Sequence, residues 1–302
     1  MSKEILPLKE GDLVVIITPA KAIEKKDVEA AVTLFESWGL KVEIGKHALG
    51  KHHYFSGTDQ ERAEDLQWAL DHPKAKAIVC ARGGYGTIRI VHQVDYKLFL
   101  QQPKWIVGFS DITVLHNKMN RDLSLPSIHA TAPLYFDRLD AHGETLMTLK
   151  KALFNESHSI SFNTGKGSVT GETTAELVGG NLAILESLIG TNLDIDTDGK
   201  ILFLEDVSEY AYKLDRMLWT LKYSGKLENL KGLIIGGLTD IKNAEETFGC
   251  TVEDLILGIV GDKKYPVAFN FPAGHQLDNR ALILGKKHKF RVAVENSFLE
   301  QM

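Results

Sequence analysis

Short apolar runs alternate along the chain with longer stretches of helical period, the pattern of βαβ units built on a mostly parallel sheet. Leu13-Val14-Val15-Ile16-Ile17 is apolar at every position and follows Gly11-Asp12, so it reads as a strand covered on both faces. Between Lys25 and Trp38 the residues Val28, Ala31, Val32, Phe35 and Trp38 recur at spacings of three and four, which predicts an amphipathic helix. The alternation continues with strands over 41–44, 75–80 and 105–109 and a helix over 59–70. Residues 1–150 are therefore expected to form one doubly wound domain.

The texture changes after Phe154. Asn155-Glu156-Ser157-His158-Ser159 and Asn163-Thr164-Gly165-Lys166-Gly167-Ser168 are polar and turn-forming, and residues 151–168 read as a linker. Strands over 200–204, 233–236 and 267–270, with helices over 182–188 and 211–223, then predict a smaller α/β domain spanning 169–302.

Composition narrows the functional classes. The 302 residues are 44% hydrophobic and 25% charged, ample for two cores, and the net charge of −5 comes with no basic run longer than Lys286-Lys287. We expect no nucleic-acid or membrane partner. Only Cys80 and Cys250 are present, and no apolar stretch reaches the ~18 residues needed to cross a bilayer, so the expected location is the cytoplasm.

In open α/β sheets ligands gather at the carboxyl ends of strands, so polar residues just beyond apolar runs are the candidates. Ser110 follows Trp105-Ile106-Val107-Gly108-Phe109 and precedes a helix expected over 112–119. Such a strand-to-helix turn exposes a hydroxyl and aims free N–H groups at developing negative charge. The fifth position of G-x-S-x-G is here Ile112, and on local sequence alone the simpler reading is that Ser110 or Asp111 caps the helix.

Ala81-Arg82-Gly83-Gly84-Tyr85-Gly86-Thr87 follows another strand and fits either an oxyanion hole, a phosphate cradle or a plain tight turn. Glu205-Asp206 ends the run Ile201-Leu202-Phe203-Leu204, a place from which a carboxylate can orient a histidine. His275 closes the loop Phe271-Pro272-Ala273-Gly274. Most other histidines (His47, His52, His53, His72, His142, His158 and His288) lie in polar sequence. There is no H-E-x-x-H, and His52-His53 are adjacent rather than at i, i+4, so we expect no metal site and no cofactor.

Five blocks together resemble the LD-carboxypeptidase family, the serine peptidases that include muropeptide L,D-carboxypeptidases and microcin C immunity peptidases. They are Ala81-Arg82-Gly83-Gly84-Tyr85-Gly86, Gly108-Phe109-Ser110-Asp111, Gly179-Gly180-Asn181-Leu182, Leu202-Phe203-Leu204-Glu205-Asp206-Val207 with Asp215-Arg216-Met217-Leu218, and Phe271-Pro272-Ala273-Gly274-His275. They fall in the family's order over nearly the whole chain. The resemblance implies a Rossmann-like or flavodoxin-like N-terminal domain carrying Ser110 as nucleophile, and a C-terminal α/β domain carrying Glu205 and His275 as acid and base.

It also implies a homodimer and release of terminal D-Ala from a murein tetrapeptide, and the oxyanion hole is expected from the N–H groups of Asp111 and of the glycine turn at Gly84. Arg82, Gly83 and Asn181 are the expected substrate contacts, with Arg82 the partner for a terminal carboxylate. The alternative within the family is cleavage of a peptidyl or aminoacyl nucleotide; the segment 190–200 is short and lacks tryptophan, which leaves little room for a base-stacking loop. Outside the family, a non-catalytic two-domain ligand-binding protein or a nucleotide-dependent oxidoreductase fits the glycine turn alone, although no dinucleotide fingerprint is present.

Overall fold

The computed structural model describes residues 4–140, 143–156, 159–243, 246–261 and 264–302; His142 and His158 lie outside them. The chain divides into two compact units, one of Met1–Glu156 with Arg280–Leu282 and one of Ser157–Asn279 with Ile283–Met302.

The first unit is built on strands Leu13–Ile17 (β1), Lys41–Ile44 (β2), Ala75–Cys80 (β3), Trp105–Gly108 (β4) and Ser127–His129 (β5), all parallel. The order β5-β4-β3-β1-β2 is the doubly wound arrangement that reverses between β1 and β3. The fully buried β1 and β4 are apolar on both faces, as covered parallel strands must be. Helices Lys25–Ser37 (α1), Asp59–Asp71 (α2), Thr87–Ile90 (α3), Lys97–Gln101 (α4), Thr113–Asn117 (α5) and Glu144–Phe154 (α6) connect them. Thr58 opens α2 with a capping box, its hydroxyl accepting from Glu61 N–H while the Glu61 carboxylate accepts from Thr58 N–H.

The helix expected over 112–119 is divided. Ser110–Ile112 forms a tight 3₁₀ turn, α5 follows, and Lys118–Asp122 widens into a π-helical turn in which Leu123 N–H reaches Lys118 O. The expected strand over 105–109 stops at Gly108, because the chain turns out of the sheet into Ser110.

The second unit holds Ser159–Asn163 (β6), Gly171–Asn181 (β7), Ile201–Val207 (β8), Gly232–Thr239 (β9) and Val267–Ala268 (β10). Leu282, within the stretch that rejoins the first unit, opens Leu282–Leu284 (β11), after which come Lys287–Val292 (β12) and Asn296–Gln301 (β13). The sheet runs β10-β9-β8-β7-β12-β13-β6, parallel from β7 to β10 and antiparallel through β12, β13 and β6.

Leu182–Ser187 (α7), Ala211–Tyr223 (α8) and Val252–Val260 (α9) cover the parallel part, burying Leu185, Leu214, Leu218 and Ile256 against Leu202, Leu204 and Leu233. The stretch 151–168, read as a linker, contains the end of α6 and all of β6. β6 alternates exposed and buried positions, as an edge strand with one covered face does. His288, in polar sequence, is buried on the inner face of β12.

Candidate active site

In the first unit three loops leave the carboxyl ends of β1, β3 and β4. Ser110 heads the loop after β4 with φ of 63°, a left-handed conformation that costs a non-glycine residue roughly 1–2 kcal/mol. Neither the 3₁₀ turn nor α5 is capped by a side chain, so the cap reading of Ser110 and Asp111 does not describe this turn. The Asp111 carboxylate instead crosses to the neighbouring loop, where Oδ2 accepts from Thr87 N–H at 2.8 Å. Burial pushes the Asp111 carboxyl above its usual range, while the hydrogen bonds at Thr87 oppose the shift.

That bond ties the glycine turn to the serine turn, and the two are in close approach. A Cβ on Gly83 would stand 2.8 Å from Ser110 Cβ and 3.1 Å from its Oγ, so only glycine fits. Gly83 is buried and Gly84 exposed.

Two residues without a distinguishing motif brace the arrangement. Arg62, 1% exposed, donates from Nη1 to Pro19 O at 2.6 Å and Gly86 O at 3.0 Å, and from Nε to Gly57 O at 3.3 Å. Its guanidinium also pairs with Asp59, so one cation pins the β1 loop and the glycine turn together. His116 is fully buried, and burial lowers its pKa to about 4, so the ring is neutral. With Nε2 2.9 Å from Gly108 O, which can only accept, the proton sits on Nε2, and Nδ1 accepts from Ser127 Oγ at 2.9 Å. The sequence signal for His116 is its place directly after the apolar pair Val114-Leu115; for Arg62 there is none.

Arg82 donates from Nη1 to Ala22 O at 2.6 Å, which commits part of its guanidinium to the β1 loop. Lys21 N–H reaches Gly83 O at 3.3 Å on the same loop.

In the second unit, Glu205 lies near the carboxyl end of β8, fully buried and paired with Asn181 of β7, beside a register shift between Leu204 and Asp206 against β9. The loop after β10 crosses β9 through the Gly237–Gly274 bridge and delivers His275 to Glu205. Glu205 Oε2 stands 2.7 Å from His275 Nδ1 and accepts from His275 N–H at 3.1 Å. Thr239 Oγ1 donates to His275 O at 2.9 Å, and Asn279 Oδ1 accepts from Gly274 N–H at 2.8 Å. Burial by itself depresses the His275 pKa, but the hydrogen bond and charge of Glu205, aided by Asp206, outweigh it and leave the pKa raised.

Asn181 caps α7, accepting from Ile184 N–H at 3.2 Å, and its Nδ2 donates to Asp206 at 3.0 Å. Asp206, raised to about 6 chiefly by burial, also accepts from Ala183 N–H. The structure thus brings Glu205 and His275 together in one unit and Ser110, Asp111, Gly83, Gly84 and Arg82 together in the other. Among the described residues no group of three or more His, Cys, Asp or Glu has the placement to hold a metal ion, and no helix is long and apolar enough to cross a membrane.

This geometry coincides with known sequence patterns. Residues 14–130 match the model of the LD-carboxypeptidase N-terminal domain and residues 174–290 that of the LD-carboxypeptidase C-terminal domain. A Bacillus subtilis protein named "Probable murein peptide carboxypeptidase" is 33% identical over 97% of this chain and 93% of its own. The crystal structure of muramoyltetrapeptide carboxypeptidase from Oxalobacter formigenes superposes with a TM-score of 0.87 at 26% identity, covering 96% of this chain and 98% of that one. Microcin C7 self immunity protein MccF in complex with aspartyl sulfamoyl adenosine gives 0.86 at 20% identity, covering 99% of each chain, a likeness of fold.

Proposed function

Because the chain belongs to the LD-carboxypeptidase family, we propose that it is a serine L,D-carboxypeptidase that releases terminal D-Ala from murein tetrapeptides in the cytoplasm. The observation that carries this reading is the buried Glu205 carboxylate held 2.7 Å from Nδ1 of a histidine, the relationship that orients a general base. The serine held in a left-handed turn at the end of β4 supplies the matching nucleophile.

Glu205 fixes the tautomer in which Nδ1 bears the proton and Nε2 the lone pair. Nε2 of His275 takes the proton of Ser110 as Oγ bonds to the scissile carbonyl carbon. The resulting oxyanion accepts hydrogen bonds from the N–H groups of Asp111 and Gly84, each such donor being worth roughly 10²–10³ in rate. Collapse breaks the C–N bond, His275 returns the proton to the departing D-Ala amine, and Ser110 is left acylated. Water then attacks the ester with His275 again as base, freeing the tripeptide and restoring the hydroxyl. Asp206 and Asn181 shape the β7–α7 turn beside Glu205.

The test offers the purified protein a murein tetrapeptide and an aminoacyl sulfamoyl adenosine in parallel. The expected result is the larger kcat/KM on the tetrapeptide, with D-Ala as the amino-acid product. A larger value on the nucleotide analogue would assign the chain to the immunity-type branch. Binding without turnover of either would make it a ligand-binding module.

A further inference from the structure

A carboxypeptidase must recognise a free carboxylate one residue beyond the scissile carbonyl, so the receptor for that charge has to lie about one residue, ~3.8 Å along the chain, from the nucleophile's turn. We propose that Lys21, on the loop after β1, is that receptor and sets the enzyme's preference for a free C-terminus. The assignment rests on the carboxypeptidase reading above.

Gly83 and Gly84 are successive residues with different neighbours. Gly83 faces Ser110, whose Cβ would lie 2.8 Å from a Cβ added at the glycine. Gly84 faces Lys21, whose Cβ would lie 2.8 Å from a Gly84 side chain, and Tyr54, whose hydroxyl would lie 3.0 Å from it. One peptide unit therefore separates the nucleophile's flank from the lysine's. The backbone of Lys21 is fixed there: its N–H donates to Gly83 O at 3.3 Å, it bridges Phe55, and Ala22 N–H donates to Tyr54 O at 3.2 Å.

The charge of Lys21 is not spent. Its ammonium lies 4.9 Å from the centroid of the Tyr54 ring and makes no ion pair among the described residues, while nearby Glu24 is engaged by Lys26 at 3.0 Å. A cation–π contact holds an ammonium in place but satisfies none of its three N–H donors in the way a carboxylate does. The side chain is half-buried, which limits the directions in which it can point.

Arg82, the cation expected from sequence, has a different part. By donating to Ala22 O it braces the backbone next to Lys21, so it acts on the carboxylate through the position of that loop. Tyr85 and Tyr54, both substantially exposed, stand along the same glycine turn as apolar surface for the body of the peptide.

The experiment compares the tetrapeptide with the same peptide ending in D-alaninamide, for the native protein and for Lys21→Met, Lys21→Arg and Arg82→Met. Native enzyme should favour the acid over the amide. Lys21→Met should narrow that kcat/KM ratio by roughly 10- to 100-fold, the range of a hydrogen bond to a charged group, and the change should appear in KM. Lys21→Arg should restore most of the ratio. Equal losses on acid and amide in Lys21→Met would show a merely structural lysine and overturn the assignment, as would a ratio that collapses in Arg82→Met but holds in Lys21→Met. If the native protein releases nothing from either peptide, the carboxypeptidase reading itself falls, a result distinct from an unaltered ratio in an active enzyme.

Discussion

One oxygen of Glu205 is shared by the side chain and the backbone of His275: Oε2 lies 2.7 Å from Nδ1 and 3.1 Å from the amide nitrogen. A ring held at both points has its χ angles fixed as well as its tautomer, which is what a general base requires. Glu205→Gln keeps the shape, but its amide can present an N–H toward Nδ1 and so favour the wrong tautomer. We expect kcat to fall roughly 10³–10⁴-fold with the thermal midpoint little changed, measured by D-Ala release and by calorimetry.

The same pair sets the pH dependence. The His275 pKa is raised from 6.5 in the folded chain, so the folded state holds this proton more tightly than the unfolded one. The stability it contributes is complete below about pH 6.5 and is lost as pH rises through the folded value. On the proposed mechanism activity runs the other way, because His275 acts as the base in its neutral form: kcat/KM should rise along a limb whose midpoint lies above 6.5. In Glu205→Gln the depressing effect of burial is no longer opposed by that carboxylate, and the limb should move to lower pH. A pH–rate profile of both proteins checks the direction.

Two glycines set strain with crowding against crowding alone. Gly274 has φ of 104°, and a Cβ there would lie 2.6 Å from Glu205 Cβ and 2.8 Å from Oε2. Gly274→Ala should cost about 1–3 kcal/mol of stability from backbone strain, with the clash against Glu205 added to it, and abolish most activity. A Cβ on Gly83 instead meets Ser110, so on the proposed mechanism Gly83→Ala should lower the rate roughly 10²–10³-fold by shifting the serine against the proposed oxyanion donors, with the smaller loss of stability. Urea unfolding and turnover of the two variants, compared side by side, test the contrast.

Much of this is legible along the chain, for identifiable reasons. β1, β2, β3 and α8 fall where the pattern places them: β1 is covered and apolar throughout, β3 is buried at every position but Lys76, β2 is an exposed edge strand alternating Val42 and Ile44 with charged residues, and α8 carries a clean apolar stripe. β6, β12 and β13 escape the pattern, since each buries only alternate positions among charged and polar residues. The expected strand over 267–270 ends at Ala268, as Asn270 turns away at φ of 63°. Glu205 stands out at the end of an apolar run, whereas Ser110 reads locally as a helix cap and His275 as the close of a Pro/Gly loop, and both gain weight only from the set of blocks that resembles one family. Asp111 reaching Thr87, Arg62 reaching Pro19 and Gly86, and Lys21 beside Gly84 depend on loops brought together by the sheet, and no local spacing encodes them.

The most direct test of Ser110 as the nucleophile is Ser110→Ala measured against native protein on a murein tetrapeptide, following free D-Ala and the tripeptide by mass spectrometry. Native protein should yield the two in equal amounts, while the variant, with an unchanged thermal midpoint, should lose at least roughly 10³-fold in rate. Undiminished release of D-Ala by a folded Ser110→Ala protein would contradict it.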